Sequence, residues 1–164
     1  MRRFFILLAL PAIMLCSCAA KSTQPETMPK CYTAELEMTD NGREFEAVLT
    51  RNDEGWEYEF TAPESIKGLK LSKNADSFTA ELEKLKLTDN LEKLGQNSPA
   101  RLIAEALDMC ASGKGITAEA KDGKTVNKGV VNGADFTVTF DDGLPCSMEI
   151  GGEIGVTFKN VRAE

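Results

Sequence analysis

Short turn signals recur along this chain, and they constrain its fold more than any other feature. Asn41-Gly42, Asp53-Glu54-Gly55, Asp122-Gly123, Asn132-Gly133, Asp142-Gly143 and Gly151-Gly152 each separate two stretches of alternating apolar and polar residues. Asn-Gly and Asp-Gly accept the left-handed backbone that tight hairpin turns require. Alternation at period two places one set of side chains on each face of a strand. Most of the chain therefore reads as antiparallel hairpins with one apolar face.

The first hairpin can be checked by parity. Tyr32, Ala34, Leu36 and Met38 share one face, and Thr33, Glu35 and Glu37 share the other. Closing the chain on Asn41-Gly42 sets Met38 opposite Phe45, Leu36 opposite Ala47, and Ala34 opposite Leu49, so apolar meets apolar throughout. The same parity, carried through Trp56, Tyr58 and Phe60, predicts Leu49 opposite Phe60. Ala62-Pro63-Glu64 interrupts the ladder. A shorter strand over 67–71 follows, then a turn at Asn74-Ala75-Asp76 into Phe78, Ala80 and Leu82. Beyond Leu82 the pattern fits either a strand carrying Leu85 and Leu87 or a short helix carrying Leu87, Leu91 and Leu94.

Ser98-Pro99 is a helix start, a hydroxyl residue at the cap and proline at the first helical position. Leu102, Ile103, Ala106, Leu107 and Cys110 form one apolar stripe, while Arg101, Glu105 and Asp108 fall elsewhere, and Gly113 ends the helix. A second meander follows. Its apolar positions are Ile116, Ala118 and Ala120; Val126 and Val130; Phe136, Val138 and Phe140; Cys146, Met148 and Ile150; and Ile154, Val156 and Phe158. One amphipathic helix cannot cover a flat sheet of about ten strands. The predicted fold is thus α+β: a strongly curved antiparallel sheet, a half-barrel, with the helical crossover packed in its concave face.

The N-terminus has a different composition. Arg2 and Arg3 precede an apolar run over 4–15, then small residues. Twelve residues at the helical rise reach only about 18 Å, short of a bilayer core of about 30 Å, so the segment reads as a cleaved leader. Leu15-Cys16-Ser17-Cys18 resembles the lipobox of bacterial lipoproteins. That resemblance implies a signal peptide over 1–17 and a lipidated, palmitate-type acyl-bearing Cys18. Residues 18–30, with two prolines, read as a flexible tether, and 31–164 as a single domain. The alternative is an ordinary secretory signal cut near Ala19 or Ala20. The expected location is extracytoplasmic, in a bacterial cell envelope, with the membrane a partner through the lipid.

Loss of the leader takes the net charge from −7 to about −9. No basic face offers itself to a phosphate backbone, so nucleic acid is not an expected partner. The chain has no histidine, which removes the commonest general base and zinc ligand. It carries no phosphate loop, paired-cysteine metal motif or nucleophile elbow. The expectation is a binding module without catalytic residues, metal or cofactor.

Trp56-Glu57-Tyr58-Glu59-Phe60-Thr61-Ala62-Pro63-Glu64, the helix over 98–112 and Phe140-Asp141-Asp142-Gly143-Leu144-Pro145 together resemble the outer-membrane lipoprotein carrier proteins and the related lipid-carrier lipoproteins of bacteria. The resemblance implies an unclosed barrel with an apolar hollow and a helical lid. It points to a lipid or a lipidated protein as ligand.

Phe45, Trp56, Tyr58 and Phe60 on one wall, with Leu107 of the helix and Met148 and Val156 facing them, are the candidate lining of such a hollow. The same residues make an ordinary packed core if no hollow exists, and the domain is then a structural or protein-interaction module. Glu35, Glu37, Glu44, Glu46, Glu57 and Glu59 fall on the opposite face, with Glu37 facing Glu46. They suit a solvated surface, a cation site or a basic partner. Cys110 on the helix stripe and Cys146 on the inward parity are the candidate disulfide pair, the alternative being two buried thiols.

Overall fold

The computed structural model describes residues 21–74 and 77–163. The leader, Cys18 and the middle of the turn after Asn74 lie outside the described residues. The strands are β1 (Lys21–Ser22), β2 (Tyr32–Asp40), β3 (Arg43–Asn52), β4 (Gly55–Ala62), β5 (Lys70–Asn74), β6 (Ser77–Leu82) and β7 (Leu85–Asn90). The helix α1 (Pro99–Ser112) follows, then β8 (Thr117–Lys121), β9 (Lys124–Val131), β10 (Ala134–Asp141), β11 (Leu144–Ile150) and β12 (Ile154–Ala163). They form one sheet in the order β1-β8-β9-β10-β11-β12-β2-β3-β4-β5-β6-β7. Every pairing is antiparallel. The sheet does not close, since β1 and β7 each have a single neighbour.

The helix shows that the sheet curls. Tyr58 of β4 donates its hydroxyl to Ala100 O at 3.0 Å, and Arg51 of β3 meets Asp108 at 2.9 Å. On its other side Asn132, after β9, donates to Glu105 at 3.2 Å. In a flat sheet β4 and β9 would stand about 29 Å apart, six strand spacings, far beyond the helix's diameter of about 10 Å. Only a half-barrel lets one helix touch both. The core is the concave space between them, filled by Leu36, Leu49, Tyr58, Ile103, Leu107, Phe136, Val138, Phe140, Met148 and Ile150. Gly113, at φ 67°, ends the helix, and its N–H returns to Met109 O.

The register of the first hairpin is the expected one: Met38 faces Phe45, Leu36 faces Ala47, and Ala34 faces Leu49. The next turn differs. Asn52 pairs with Gly55, so Leu49 faces Tyr58 and Phe60 faces Ala47. The Asn52 side chain accepts from the N–H groups of Glu54 and Gly55 and holds the loop to two residues. The strand expected at 67–71 begins at Lys70, because Glu64–Ile66 takes up a 3-10 turn. Both patterns read after Leu82 are present in succession: strand β7, then a 3-10 turn at Leu91–Leu94.

Two inward assignments are corrected. In β9 the inner positions are Asn127, Gly129 and Val131, while Val130 points out and is 53% exposed. Gly129 explains the choice, since a Cβ there would stand 2.7 Å from the Phe136 ring. In β11 the ladder pairs Thr139 with Ser147 but Phe140 with Pro145. Cys146 is the extra residue of this bulge, and Pro145 takes the buried place.

The segment expected as a flexible tether is bound to the domain. Lys21 and Ser22 pair with Ala120 and Glu119 of β8. Glu26 N–H donates to Asn127 Oδ1 at 3.1 Å, and Asn127 Nδ2 donates back to Glu26 O at 2.7 Å. Met28 is buried in the core. An amide side chain on the inner face supplies the hydrogen bonds that this proline-flanked stretch cannot make with itself.

Candidate functional site: the inner face of the sheet

One cross-strand row defines the site. Ala34, Leu49, Tyr58, Leu71, Ala80 and Leu87 are successive partners across β2, β3, β4, β5, β6 and β7. Burial falls along this row. Ala34, Leu49 and Tyr58 are fully covered, Leu71 nearly so, Ala80 partly, and Leu87 is 57% exposed. Leu85, opposite Leu82, is 76% exposed. The helix therefore covers one end of the inner face and leaves the other open. The uncovered end is a concavity of about 320 Å³ lined by Leu69, Ala80, Leu82, Leu85, Lys86 and Leu87.

The residues expected to line a hollow fall mostly under the helix. Trp56, Tyr58, Leu107, Met148 and Val156 are buried members of the core, and Phe45 and Phe60 pack against it. Trp56 and Tyr58 meet edge to face at 5.3 Å, and Tyr58 stacks on Phe60 at 6.3 Å. Trp56 Nε1 is a buried donor with no acceptor among the described residues. Phe60, through its N–H bond to Leu69 O, lies nearest in the ladder to the open end. The open end itself was legible only as the alternation of Leu85 and Leu87, since nothing local says that no strand or helix covers them.

Burial dominates the electrostatics beneath the helix. It raises the pKa of Tyr58 well above its ordinary value and that of Tyr32 likewise, with Asp108 adding to the effect. It raises the Cys110 thiol to about 11, against the pull of a hydrogen bond with Asn127. Cys31, Cys110 and Cys146 are free thiols, so the candidate pair Cys110 and Cys146 is unbridged.

A second concavity, of about 960 Å³, draws most of its lining from the outer face of β8 to β12, β2 and β3. Its floor includes Thr139, Ser147 and Thr157, and Glu37, Glu44, Glu46 and Glu149 are among its walls. Phe45, Met148 and Val156 also reach it. Glu37 faces Glu46 as expected, and Lys159 pairs with Glu37. Lys128 and Lys124 are held by Glu119 and Asp141, each at 2.8 Å. Among the described residues no three acidic or cysteine side chains converge to hold a metal ion, and no helix is long and apolar enough to cross a membrane.

No family model matches this sequence, and no curated protein matches it. Among solved structures the chain is similar to the LolA superfamily protein NE2245 from Nitrosomonas europaea. The two share 8% identity over 86% of this chain and 90% of that one, with a TM-score of 0.46. It is also similar to PNGF-II in two crystal forms, at 12% and 14% identity over 81% and 80% of this chain, with TM-scores of 0.40 and 0.39. The chain spans 28% and 27% of the length of those two. The class of the fold rests on its strand order: an open, curled antiparallel sheet with a helix in its concave face.

Proposed function

We propose that this chain is a lipid-anchored binding domain of a bacterial cell envelope, without catalytic activity of its own. We propose that it holds an acyl-type ligand, free or carried by a lipidated protein, on the uncovered end of its inner face. The observation that carries the reading is the leucine-lined end of the inner row, where Leu85 and Leu87 stand exposed beside a concavity continuous in register with the core. Each methylene moved from water onto such a surface contributes about 0.8 kcal/mol, so a long acyl chain gains where a polar ligand does not. The Leu15-Cys16-Ser17-Cys18 motif supports an anchor at Cys18, which would keep the domain beside a source of acyl chains.

The test is native mass spectrometry of the protein with palmitate and with a phospholipid. Leu85→Asp and Leu87→Asp change exposed side chains, so the fold survives and bound lipid is lost. Retention of lipid by both variants would place the ligand elsewhere. A filled-core interaction domain is the second reading, and it is favoured by the packing of Trp56, Tyr58 and Leu107 beneath the helix. Spectra free of lipid under all conditions would select it.

A further inference from the structure

The segment between β1 and β2 crosses the inner face on the side the leucine row does not reach. It leaves the β8 edge, where Thr23 N–H donates to Ala118 O at 3.2 Å, and runs to the start of β2. Midway, Asn127 holds it by both backbone groups of Glu26. Asn127 is the one polar residue among the described residues that is fully buried, and it lies on β9, the strand packed against α1 on the side of the buried Cys110 thiol. Past this clamp, Met28 is 4% exposed within the core.

The attachment is sparse. One two-residue ladder extended by the Thr23 bond, one amide clamp and one buried side chain hold residues 21–28, whereas the neighbouring β8 is paired with β9 along its full length and β9 with β10 from Thr125 to Val131. Segments held by few contacts open at lower free energy than the sheet beneath them. The clamp also bonds only main-chain atoms of Glu26, so it constrains position without packing a side chain.

We propose that residues 23–28 are a releasable strap. Docked, the strap closes the β8–β10 side of the inner face over Asn127, next to the buried Cys110. Released, it frees the place of Met28 in the core for an apolar chain. The inference rests on the acyl-binding reading for its ligand but not for the strap's motion. Asn127 holds the strap from β9, the strand packed against α1, so release of the strap is felt at the helix.

The test reads Cys110. In full-length protein carrying Cys31→Ser and Cys146→Ala, alkylation of Cys110 by N-ethylmaleimide is followed by peptide-level mass spectrometry, with tryptic cleavage after Lys30 in parallel. Asn127→Ala and, separately, Met28→Ser should each speed both reactions by about tenfold or more, as loss of the clamp or the buried side chain lowers the opening energy. Amide exchange in β2, β11 and β12 should stay slow, which distinguishes strap release from unfolding. Unchanged Cys110 and Lys30 rates in both variants overturn the strap, and so does faster exchange throughout the sheet. Palmitate should speed Cys110 alkylation in the otherwise unaltered protein. Palmitate seen bound by native mass spectrometry with no change at Cys110 overturns the strap as a competitor. Fast Cys110 in the variants with no palmitate bound to any form leaves the strap standing and removes the acyl-binding reading instead.

Discussion

Single side chains decide how the concave space is filled. Asn127 and Gly129 occupy inner positions of β9 that apolar residues would ordinarily take. The valines at 126 and 130 point the parity the other way, so the sequence read alone turns this strand over. The glycine was the available signal, because a residue without Cβ opposite Phe136 marks a close approach. The bulge at Cys146 had its own mark in Pro145, since a proline inside a central strand points to a bulge. Tyr58, by contrast, falls where alternation puts it, and its hydroxyl finds Ala100 O. Tyr58→Phe should cost about 1 kcal/mol by leaving that carbonyl short of a partner, measured as a lower urea midpoint at unchanged slope. Cys110 supplies a pH prediction. Burial raises its thiol from 9.0 to about 11, so as pH rises the unfolded chain loses this proton first. The unfolded state then binds fewer protons, and stability falls. The contribution is intact below pH 9 and is lost progressively toward 11, amounting to about 1–2 kcal/mol near pH 10.5. Cys110→Ala should give a shallower decline in unfolding free energy between pH 7.5 and 10.5. Parallel declines would mean that the thiol titrates normally in the folded chain.

At the level of elements, local signals were enough where both ends of an element are marked. Ser98-Pro99 and Gly113 delimit α1, and Asn41-Gly42 sets the first hairpin to the residue. Asn41 and Gly42 both have positive φ, 49° and 77°, as this turn requires. Residues 21–28 have the composition of a linker, while their docking depends on Asn127, a hundred residues away. Glu105 shows the same limit. Off the apolar stripe, it reads as free surface, yet it accepts from Arg101 at 2.8 Å and from Asn132 at 3.2 Å. The first is a pair within the helix, and the second ties the helix to the turn after β9. Glu105→Ala should therefore cost about 0.5–1 kcal/mol, a partly exposed pair's worth. Leu107→Asp, which buries an unpaired charge beneath the helix, should cost several kcal/mol and unfold a domain of ordinary stability. Thermal melts of the two variants discriminate. A Leu107→Asp protein as stable as Glu105→Ala would mean that α1 does not dock through this face.

The whole molecule depends on a pairing that no local pattern announces. β12 lies beside β2, so Ile154 faces Asp40 and Phe158 faces Leu36 across more than a hundred residues of chain. The last strand joins the two meanders at the middle of the sheet, and the helix runs from edge strand β7 to β8, one strand in from the opposite edge. Alternation and turns foretold the meanders and the curl. The order of the strands between them was not legible, because any apolar-faced strand satisfies any other. This arrangement makes the ladder's centre and its edge unequal. Thr157 pairs with Ser147 on one side and Glu37 on the other. Thr88, in edge strand β7, pairs only with Thr79. Proline removes a donor and disturbs the ladder wherever it is placed inside a strand, and the loss is largest where both sides are bonded. Thr157→Pro should cost about 3 kcal/mol or more and separate the two meanders, abolishing the cooperative urea transition. Thr88→Pro should keep a single transition with a modest loss, and amide exchange should quicken only in β6 and β7. The reverse ranking would place β12 at an edge and break the order on which the half-barrel, its helix and its open leucine row all depend.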